Sequence, residues 1–229
     1  HAAYLGQLIA VVVAEGFEQA RHAAQSLKVE LENGEVMPVD PATAAVEPQE
    51  AKTLDQGDLD GAMQEAAFSV DVTYTPPSHS SSPMEPHASI ASWDGDDLTL
   101  RGSYQMLKYN RNELSDALGI HPDRLRILSP YVGGGFGSKL GIAPEAVAAA
   151  IAAKEVGRPV SVALQRPQVY EATMRRSETT QRVRLAADAE GALTGLGHGA
   201  RVSTLPGETF AEPVLQATSE EHTSELQSQ

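Results

Sequence analysis

The sequence contains no cysteine. Disulfide bridges, thiol catalysis and iron–sulfur clusters held by cysteine thiolates are therefore excluded for this chain. If the protein carries out redox chemistry, its electrons must leave through another chain or another part of the polypeptide.

Positive charge and long apolar runs are also scarce. Seventeen Lys and Arg residues face 31 Asp and Glu residues, which gives a net charge of −14. Nucleic acids and anionic membranes bind basic surfaces, so we expect neither as a partner. The longest apolar runs, residues 8–14 and 146–153, are far shorter than the roughly 18 residues of a membrane span. The chain starts with His1, so we expect the true start to be missing. Any targeting signal would be missing with it, so cytoplasm and periplasm both stay open as compartments.

Local patterns predict a mixed α+β chain. The apolar, β-branched run at residues 8–14 predicts a buried strand. A helix with one apolar face is predicted from Phe17 to Leu27, with Gly16 and Gln19 at its N-terminus. A second strand over residues 28–32 would complete a strand–helix–strand unit.

Residues 33–61 are rich in Pro, Ala and acidic residues and lack periodicity, which predicts a connector. A second domain begins near Ser69, and its pattern mixes strands and helices. Its predicted elements are a strand with Val70, Val72 and Tyr74; a hairpin of residues 88–93 and 97–103 around Asp94-Gly95; a helix over 106–118, with Leu107, Leu114 and Leu118 inward, ended by Gly119; a strand with Leu125 and Ile127; a helix from Pro144 to Gly157; and strands at 160–164, 179–185 and from 192 onward, with a turn at 188–191.

The last eleven residues, 219–229, continue no pattern and carry a single large apolar residue, Leu226. They resemble the translation of a sequencing adapter. We therefore expect a disordered or artefactual tail.

The strongest local signal is the glycine-rich loop, which we define as residues 132–140 (VGGGFGSKL). Its glycines allow backbone N–H groups to approach a bound group closely. It is not a phosphate loop, because Ser138 separates the glycine from Lys139, and Ser138 also replaces the third glycine of the dinucleotide fingerprint. Ser138 does not form the Gly-x-Ser-x-Gly nucleophile turn either. From these residues alone, a ligand-binding loop and a flexible turn are equally good interpretations.

The loop resembles the glycine-phenylalanine-glycine loop of the xanthine dehydrogenase and aldehyde oxidase family, in the molybdopterin-binding large subunit. Other segments are similar to that family in the same order, and the match is strongest with its bacterial aldehyde-oxidising branch. These segments are residues 6–27, 82–93, 102–105 (GSYQ), 157–166 and 176–185. The chain is thus identified as a fragment of such a subunit.

The resemblance implies a domain layout. Residues 1–35 would be the C-terminal part of an α/β hammerhead domain, residues 36–68 a connector, and residues 69–218 the first part of the molybdenum-cofactor-binding domain. Residues 219–229 would be the tail. The family's general-base glutamate and most cofactor contacts would lie beyond Gln229, so we expect this chain alone to hold no molybdenum and to oxidise nothing.

The resemblance also implies a site. The cofactor would be molybdenum-loaded molybdopterin in its cytosine dinucleotide form, contacted by Gln105, Gly135, Phe136 and Gly137. Phe136 and Leu140 would line the substrate pocket, and no residue would ligate the metal directly. The parent enzyme would oxidise aldehydes or N-heterocycles with water as the oxygen source. Its electrons would pass to an iron–sulfur subunit and an FAD subunit.

Two positions imply a preference for aldehydes. Purine-oxidising members of the family hold the substrate ring with an acid just after the glycine-rich loop and a basic residue further on. Leu140 and, near the second position, Pro213 stand in their places. Neither side chain can recognise a purine edge by hydrogen bonds. A packing role for Leu140 against the next helix is the alternative.

Other candidates carry less weight. Glu85 and His87 could form a metal or acid–base pair, but a loop held by local hydrogen bonds is the favoured interpretation. His79, His121 and His198 lack metal-ligand spacing, and Arg175 and Arg176 are interpreted as surface or structural. Two rival hypotheses stay open: a truncated fragment without binding or activity, and a small nucleotide-binding module.

Overall fold

The computed structural model describes residues 6–30, 32, 34 and 55–202, which form two compact units. The first unit contains the described residues up to 32 together with 79–176, and the second contains 34, 55–78 and 177–202. The predicted tail and Pro213 lie outside the described residues. The described helices are α1 (Phe17–Ser26), α2 (Leu59–Glu65), α3 (Leu107–Leu118), α4 (Pro144–Val156) and α5 (Arg166–Ala172), and the strands are β1 (Phe68–Tyr74), β2 (His79–Ser80), β3 (Ala88–Asp94), β4 (Asp97–Gly102), β5 (Leu125–Leu128), β6 (Val160–Ala163), β7 (Arg175–Arg176), β8 (Thr179–Ala187) and β9 (Leu193–Val202).

The first unit is built on a four-stranded sheet in the order β5-β4-β3-β6. β3 and β4 form the predicted hairpin, with Asp94 paired to Asp97 and Gly95 at a φ of 60° in the turn. β5 adds in parallel to β4, and β6 adds antiparallel to β3.

Helix α4 packs on β3 and β6 and forms much of the core. Trp93 anchors it, because its indole N–H donates to the Ala150 carbonyl at 2.8 Å. The helix is nearly all alanine on its covered sides, so it lies close to the sheet. Its buried alanines are Ala146, Ala148, Ala149, Ala150, Ala152 and Ala153.

Both predicted helix ends are confirmed. Gly119 and Gly157 take left-handed φ values of 66° and 62° after α3 and α4. Leu114 is fully buried in the core, as predicted, and Leu118 packs against it. The prediction for Leu107 is wrong: it is 45% exposed, because it lies in the first turn of α3 and is not part of the core.

The N-terminal segment differs from its prediction. Neither residues 8–14 nor the described residues of 28–32 form a strand, and Ile9 and Val13 are 54% and 43% exposed. A β-branched run becomes a strand only with a hydrogen-bonded neighbour, and no described strand pairs with it. The predicted helix does form as α1, and the Gln19 side chain accepts from the Gly16 N–H at 3.2 Å. Its apolar face is not covered, since no residue of α1 is buried.

The second unit is the antiparallel sheet β1-β8-β9, with the predicted turn at Asp188 and Gly191. One correction concerns the connector, whose described part contains α2. The Asp58 carboxylate accepts from the Gly61 N–H at 2.9 Å, and this N-terminal cap starts the helix.

Helix α5 was not predicted, although Pro167 and the bond from the Gln165 N–H to Gln168 Oε1 at 2.8 Å mark its start. Within the described ranges, no helix is long and apolar enough to cross a membrane.

Candidate functional site

The glycine-rich loop connects β5 to α4 in the first unit and folds as two consecutive turns. The Ser138 N–H donates to the Gly135 carbonyl at 3.0 Å, and the Leu140 N–H donates to the Gly137 carbonyl at 3.2 Å. The Ser138 hydroxyl also donates to the Gly135 carbonyl, at 2.8 Å. These bonds give the loop a defined conformation, as a ligand-binding role requires.

Phe136 has an unusual backbone. Its φ is 53°, and no other non-glycine residue in the described ranges has a positive φ. A residue held in this region costs about 1–3 kcal/mol, and such residues cluster at functional sites. Phe136 is nonetheless 76% exposed, so ring burial within the described chain does not offset the cost. The Ser81 hydroxyl holds it by donating to the Phe136 carbonyl at 2.8 Å.

Gln105, between β4 and α3, lies directly against this loop. Its Oε1 accepts from the Gly137 N–H at 3.1 Å and from the Lys139 N–H at 3.2 Å. Its own backbone N–H donates to the Lys139 carbonyl at 3.0 Å. A side chain at Gly135 would overlap the Gln105 amide, so glycine there leaves room for Gln105 to lie against the loop. The structure thus brings together Gln105, Gly135 and Gly137, which the sequence predicts as cofactor contacts.

One N–H group of the loop does not face the cofactor site as expected. The Gly137 N–H, expected to face the cofactor, donates to Gln105. Among the described residues, neither the Phe136 N–H nor Gln105 Nε2 has an acceptor. These two neutral donors are therefore available to a bound group, as are the N–H groups of Gly134 and Gly135, which donate to no described residue.

Leu140 is half-buried at the end of the loop. Its carbonyl accepts from the Asn110 side-chain amide at 2.6 Å, and the buried Asn110 thereby ties the loop to α3. Leu140 ends the loop, and its role in a substrate pocket stays a prediction.

The pairing of Glu85 was not predicted. Lys139 is buried and donates to Glu85 Oε2 at 2.8 Å, and the same oxygen accepts from the Gly133 N–H at 2.6 Å. Partial burial raises the pKa of Glu85, but hydrogen bonds from Lys139, Ser103 and Gly133 outweigh it, so the pKa lies below its ordinary value. Glu85 is an ionised structural partner of the loop. The only sequence signal was a lysine flanked by small and apolar residues.

His87 lies beside this pair without joining it. It is buried, and its Nε2 donates to the Ser138 carbonyl at 2.9 Å. Burial lowers the pKa of His87, so the ring is neutral at pH 7. With the proton on Nε2, Nδ1 is an acceptor, and it has no partner among the described residues. Glu85 and His87 are thus held by hydrogen bonds, as the favoured interpretation has it, but the bonds are not local, because their partners Gly133, Ser138 and Lys139 lie 48 to 54 positions away.

The remaining candidates lie apart from the loop or serve local structure. His79 and Arg176 are cross-strand partners in the short β2–β7 pair, next to Arg175. His121 Nδ1 accepts from the Asp123 N–H at 3.3 Å, and His198 Nε2 contacts Gln181 Oε1 at 3.1 Å. In the described parts of the chain, no group of three or more His, Asp or Glu side chains could hold a metal ion.

Comparison with known proteins decides the family. Residues 44–224 match the family described as the molybdopterin cofactor-binding domain. The chain belongs to that family. The resemblance to the large subunit of xanthine dehydrogenases and aldehyde oxidases is thereby confirmed.

Three relatives illustrate the match. The chain is 44% identical over 215 residues to the aldehyde oxidoreductase molybdenum-binding subunit PaoC of Escherichia coli K12, covering 92% of this chain and 29% of PaoC. It is 29% identical over 206 residues to the putative xanthine dehydrogenase molybdenum-binding subunit XdhA of the same strain, covering 85% of this chain and 27% of XdhA. The solved aldehyde oxidoreductase of Desulfovibrio gigas superposes with a TM-score of 0.68 at 25% identity, covering 79% of this chain and 21% of that one. The chain thus spans less than a third of these relatives.

The residues of the glycine-rich loop fit a molybdopterin of this family. Phe136 N–H and Gln105 Nε2 are neutral donors, which can hold an anionic group without leaving a buried charge unpaired. This also explains how a chain with a net charge of −14 can bind an anion, since the donors are local dipoles. The Lys139 ammonium is already paired with the Glu85 carboxylate, so it is not needed to explain anion binding.

Proposed function

We propose that the full-length protein is the molybdenum-cofactor-binding subunit of an oxidoreductase that converts aldehydes to carboxylic acids with water as the oxygen source. The carrying observation is the Gln105 amide, bonded through its oxygen to the glycine-rich loop beside the exposed Phe136. When bound, the molybdenum cofactor supplies two-electron oxidation chemistry.

The chain's own residues would bind and orient. Gln105 Nε2 and the Phe136 N–H would donate to ligands of the metal or to the pterin. The Phe136 ring would form one wall of the substrate pocket and exclude water from it, which strengthens the polar contacts inside. The loop's internal hydrogen bonds would keep these donors aligned without reorganisation.

We further propose the cytosine dinucleotide form of the cofactor and two partners, an iron–sulfur subunit and an FAD subunit. The lack of cysteine in this chain supports an external electron path. The name of PaoC as a molybdenum-binding subunit supports a multi-subunit assembly. Residues 1–35 would end a hammerhead domain and residues 69–218 would begin the cofactor domain. The match over 44–224 supports the cofactor domain alone.

The aldehyde preference is supported by Leu140 and by the relatives. An apolar residue after the loop recognises substrate by contact area rather than by hydrogen bonds. Identity to the aldehyde oxidoreductase subunit is 44%, against 29% for the xanthine dehydrogenase subunit.

Steady-state kinetics of the full assembly test this proposal. We expect a higher kcat/KM for benzaldehyde than for xanthine, and a higher value for xanthine would refute the aldehyde assignment. Leu140→Glu should lower kcat/KM for benzaldehyde, whereas the volume-conserving Leu140→Met is the matched control and should leave it within a few-fold.

A further inference from the structure

Lys139 is a buried cation whose hydrogen-bonding capacity is fully used. Its side chain has no exposed surface. The ammonium donates to Glu85 Oε2 at 2.8 Å, to the Glu85 carbonyl at 3.2 Å and to the Ser103 hydroxyl at 3.1 Å. A lysine ammonium has three donors, so all are satisfied.

The acceptors of Lys139 belong to segments that border the candidate site. Glu85 bonds twice to Gly133, since its carboxylate accepts from the Gly133 N–H at 2.6 Å and its own N–H donates to the Gly133 carbonyl at 3.4 Å. Ser103 precedes Gln105 by two residues. The backbone of Lys139 itself bonds to Gln105 through both its N–H and its carbonyl. One residue therefore joins the glycine-rich loop to both flanking segments.

The Glu85 segment is held from a second side. Arg166 donates to the Pro83 carbonyl at 2.7 Å and to the Met84 carbonyl at 3.3 Å. Together with Lys139, it anchors three consecutive carbonyls. The segment that receives the Gly133 N–H is thus fixed at the backbone as well as at the carboxylate.

Stability alone is a poor reason for such a pair. The Lys139 ammonium is fully desolvated, whereas the Glu85 side chain is 40% exposed. Apolar residues of similar volume in place of buried charges are often neutral or stabilising, because desolvating a charge is costly. The benefit of this pair is a defined geometry, and here the geometry belongs to the loop and Gln105.

We propose that Lys139 is a positioning residue: through Glu85 and Ser103 it holds the glycine-rich loop and Gln105 in the arrangement that receives the cofactor. The cofactor part of this inference rests on the proposed function. The loop part does not, so two measurements can separate them.

The test uses the full-length protein and a charge-neutral double variant, Glu85→Gln/Lys139→Met. It removes the ammonium without leaving the Glu85 carboxylate unpaired, and the glutamine oxygen can still accept from Gly133. The matched control is Lys154→Met, which removes a lysine paired with Asp96 at 3.4 Å, outside the loop. Hydrogen exchange of the Gly133 and Gly137 amides is measured in protein from a host that makes no molybdenum cofactor. Molybdenum content is measured in protein from a host that does.

We expect an unchanged melting temperature in the double variant, with loop exchange faster by about tenfold and molybdenum content lower by about tenfold. The control should match the unsubstituted protein in both. Normal exchange and normal molybdenum in the double variant would overturn the proposal. If the unsubstituted full-length protein also binds no molybdenum, faster exchange in the double variant would support the positioning of the loop and reject the proposed function. If the double variant loses its cooperative unfolding, Ser103→Ala, which removes one acceptor atom, decides by the same two measurements.

Discussion

The contributions of the oxygen and the nitrogen of the Gln105 amide can be measured separately by substitution. Its oxygen accepts two backbone N–H groups of the glycine-rich loop, from Gly137 and Lys139. Its nitrogen has no acceptor among the described residues and is the end proposed to face the cofactor. Gln105→Ala removes both ends, whereas Gln105→Glu keeps an acceptor oxygen and removes the donor.

The expected magnitudes follow from these contacts. Each hydrogen bond contributes a net of about 0.5–1.5 kcal/mol, so Gln105→Ala should lower the free energy of unfolding by about 1–3 kcal/mol. Gln105→Glu should stay within about 0.5 kcal/mol of the unsubstituted chain, as expected of an exposed position that keeps its contacts.

Urea unfolding of the chain measures the first effect, and molybdenum content of the full-length protein measures the second. Both variants should lose molybdenum, and the glutamate should lose more, because its charge would repel an anionic cofactor. An alanine variant as stable as the unsubstituted chain would refute the role of Oε1. A glutamate variant with full molybdenum content would refute the role of Nε2.

Two further predictions concern stability. Burial lowers the pKa of His87 from 6.5, so the unfolded chain binds a proton that the folded chain does not, and stability should fall as pH drops below 6.5, by at most about 1.4 kcal/mol per pH unit. His87→Gln can still donate to the Ser138 carbonyl and should flatten this pH dependence. Urea unfolding between about pH 5 and pH 7, the range in which histidine titrates, measures it. An unchanged slope would mean that His87 is not the source of the pH dependence. Leu114→Ala should cost about 2–5 kcal/mol in the same assay, whereas the exposed Leu107→Ala should cost less than about 0.5 kcal/mol, and equal losses would contradict the assignment of the core.

Much of the first unit could be predicted because its signals are local. Asp94-Gly95 specifies a hairpin turn, and Gly119 and Gly157 specify helix ends through conformations that other residues adopt with difficulty. Periodicity identified the buried Leu114 on α3. It failed for Leu107, because the sequence shows which face of a helix is apolar but not how far the covering core extends along it.

Contacts between distant residues could not be predicted. Glu85 and Lys139 lie 54 positions apart, and neither residue type signals in one sequence that the two will pair. The run at residues 8–14 failed for a related reason, because a strand depends on a neighbour that its own residues do not encode. For the site, residue types and their resemblance to a family located Gln105 and the loop. They did not show that the Gln105 oxygen binds the loop while its nitrogen stays available to a ligand.

The alanine-rich packing of α4 makes the site sensitive to substitutions in α4, outside the glycine-rich loop. The helix begins at Pro144, four residues after the glycine-rich loop ends, so a shift of its axis is transmitted to the loop with little chain to absorb it. Ala149 and Ala150 have no exposed surface, and a valine at either would act as a wedge between helix and sheet at a cost of about 1–3 kcal/mol. Such alleles would be expected to show temperature-sensitive loss of cofactor, although the altered residue lies outside the loop. In a collection of natural variants, these alanines would therefore rank among the functional positions.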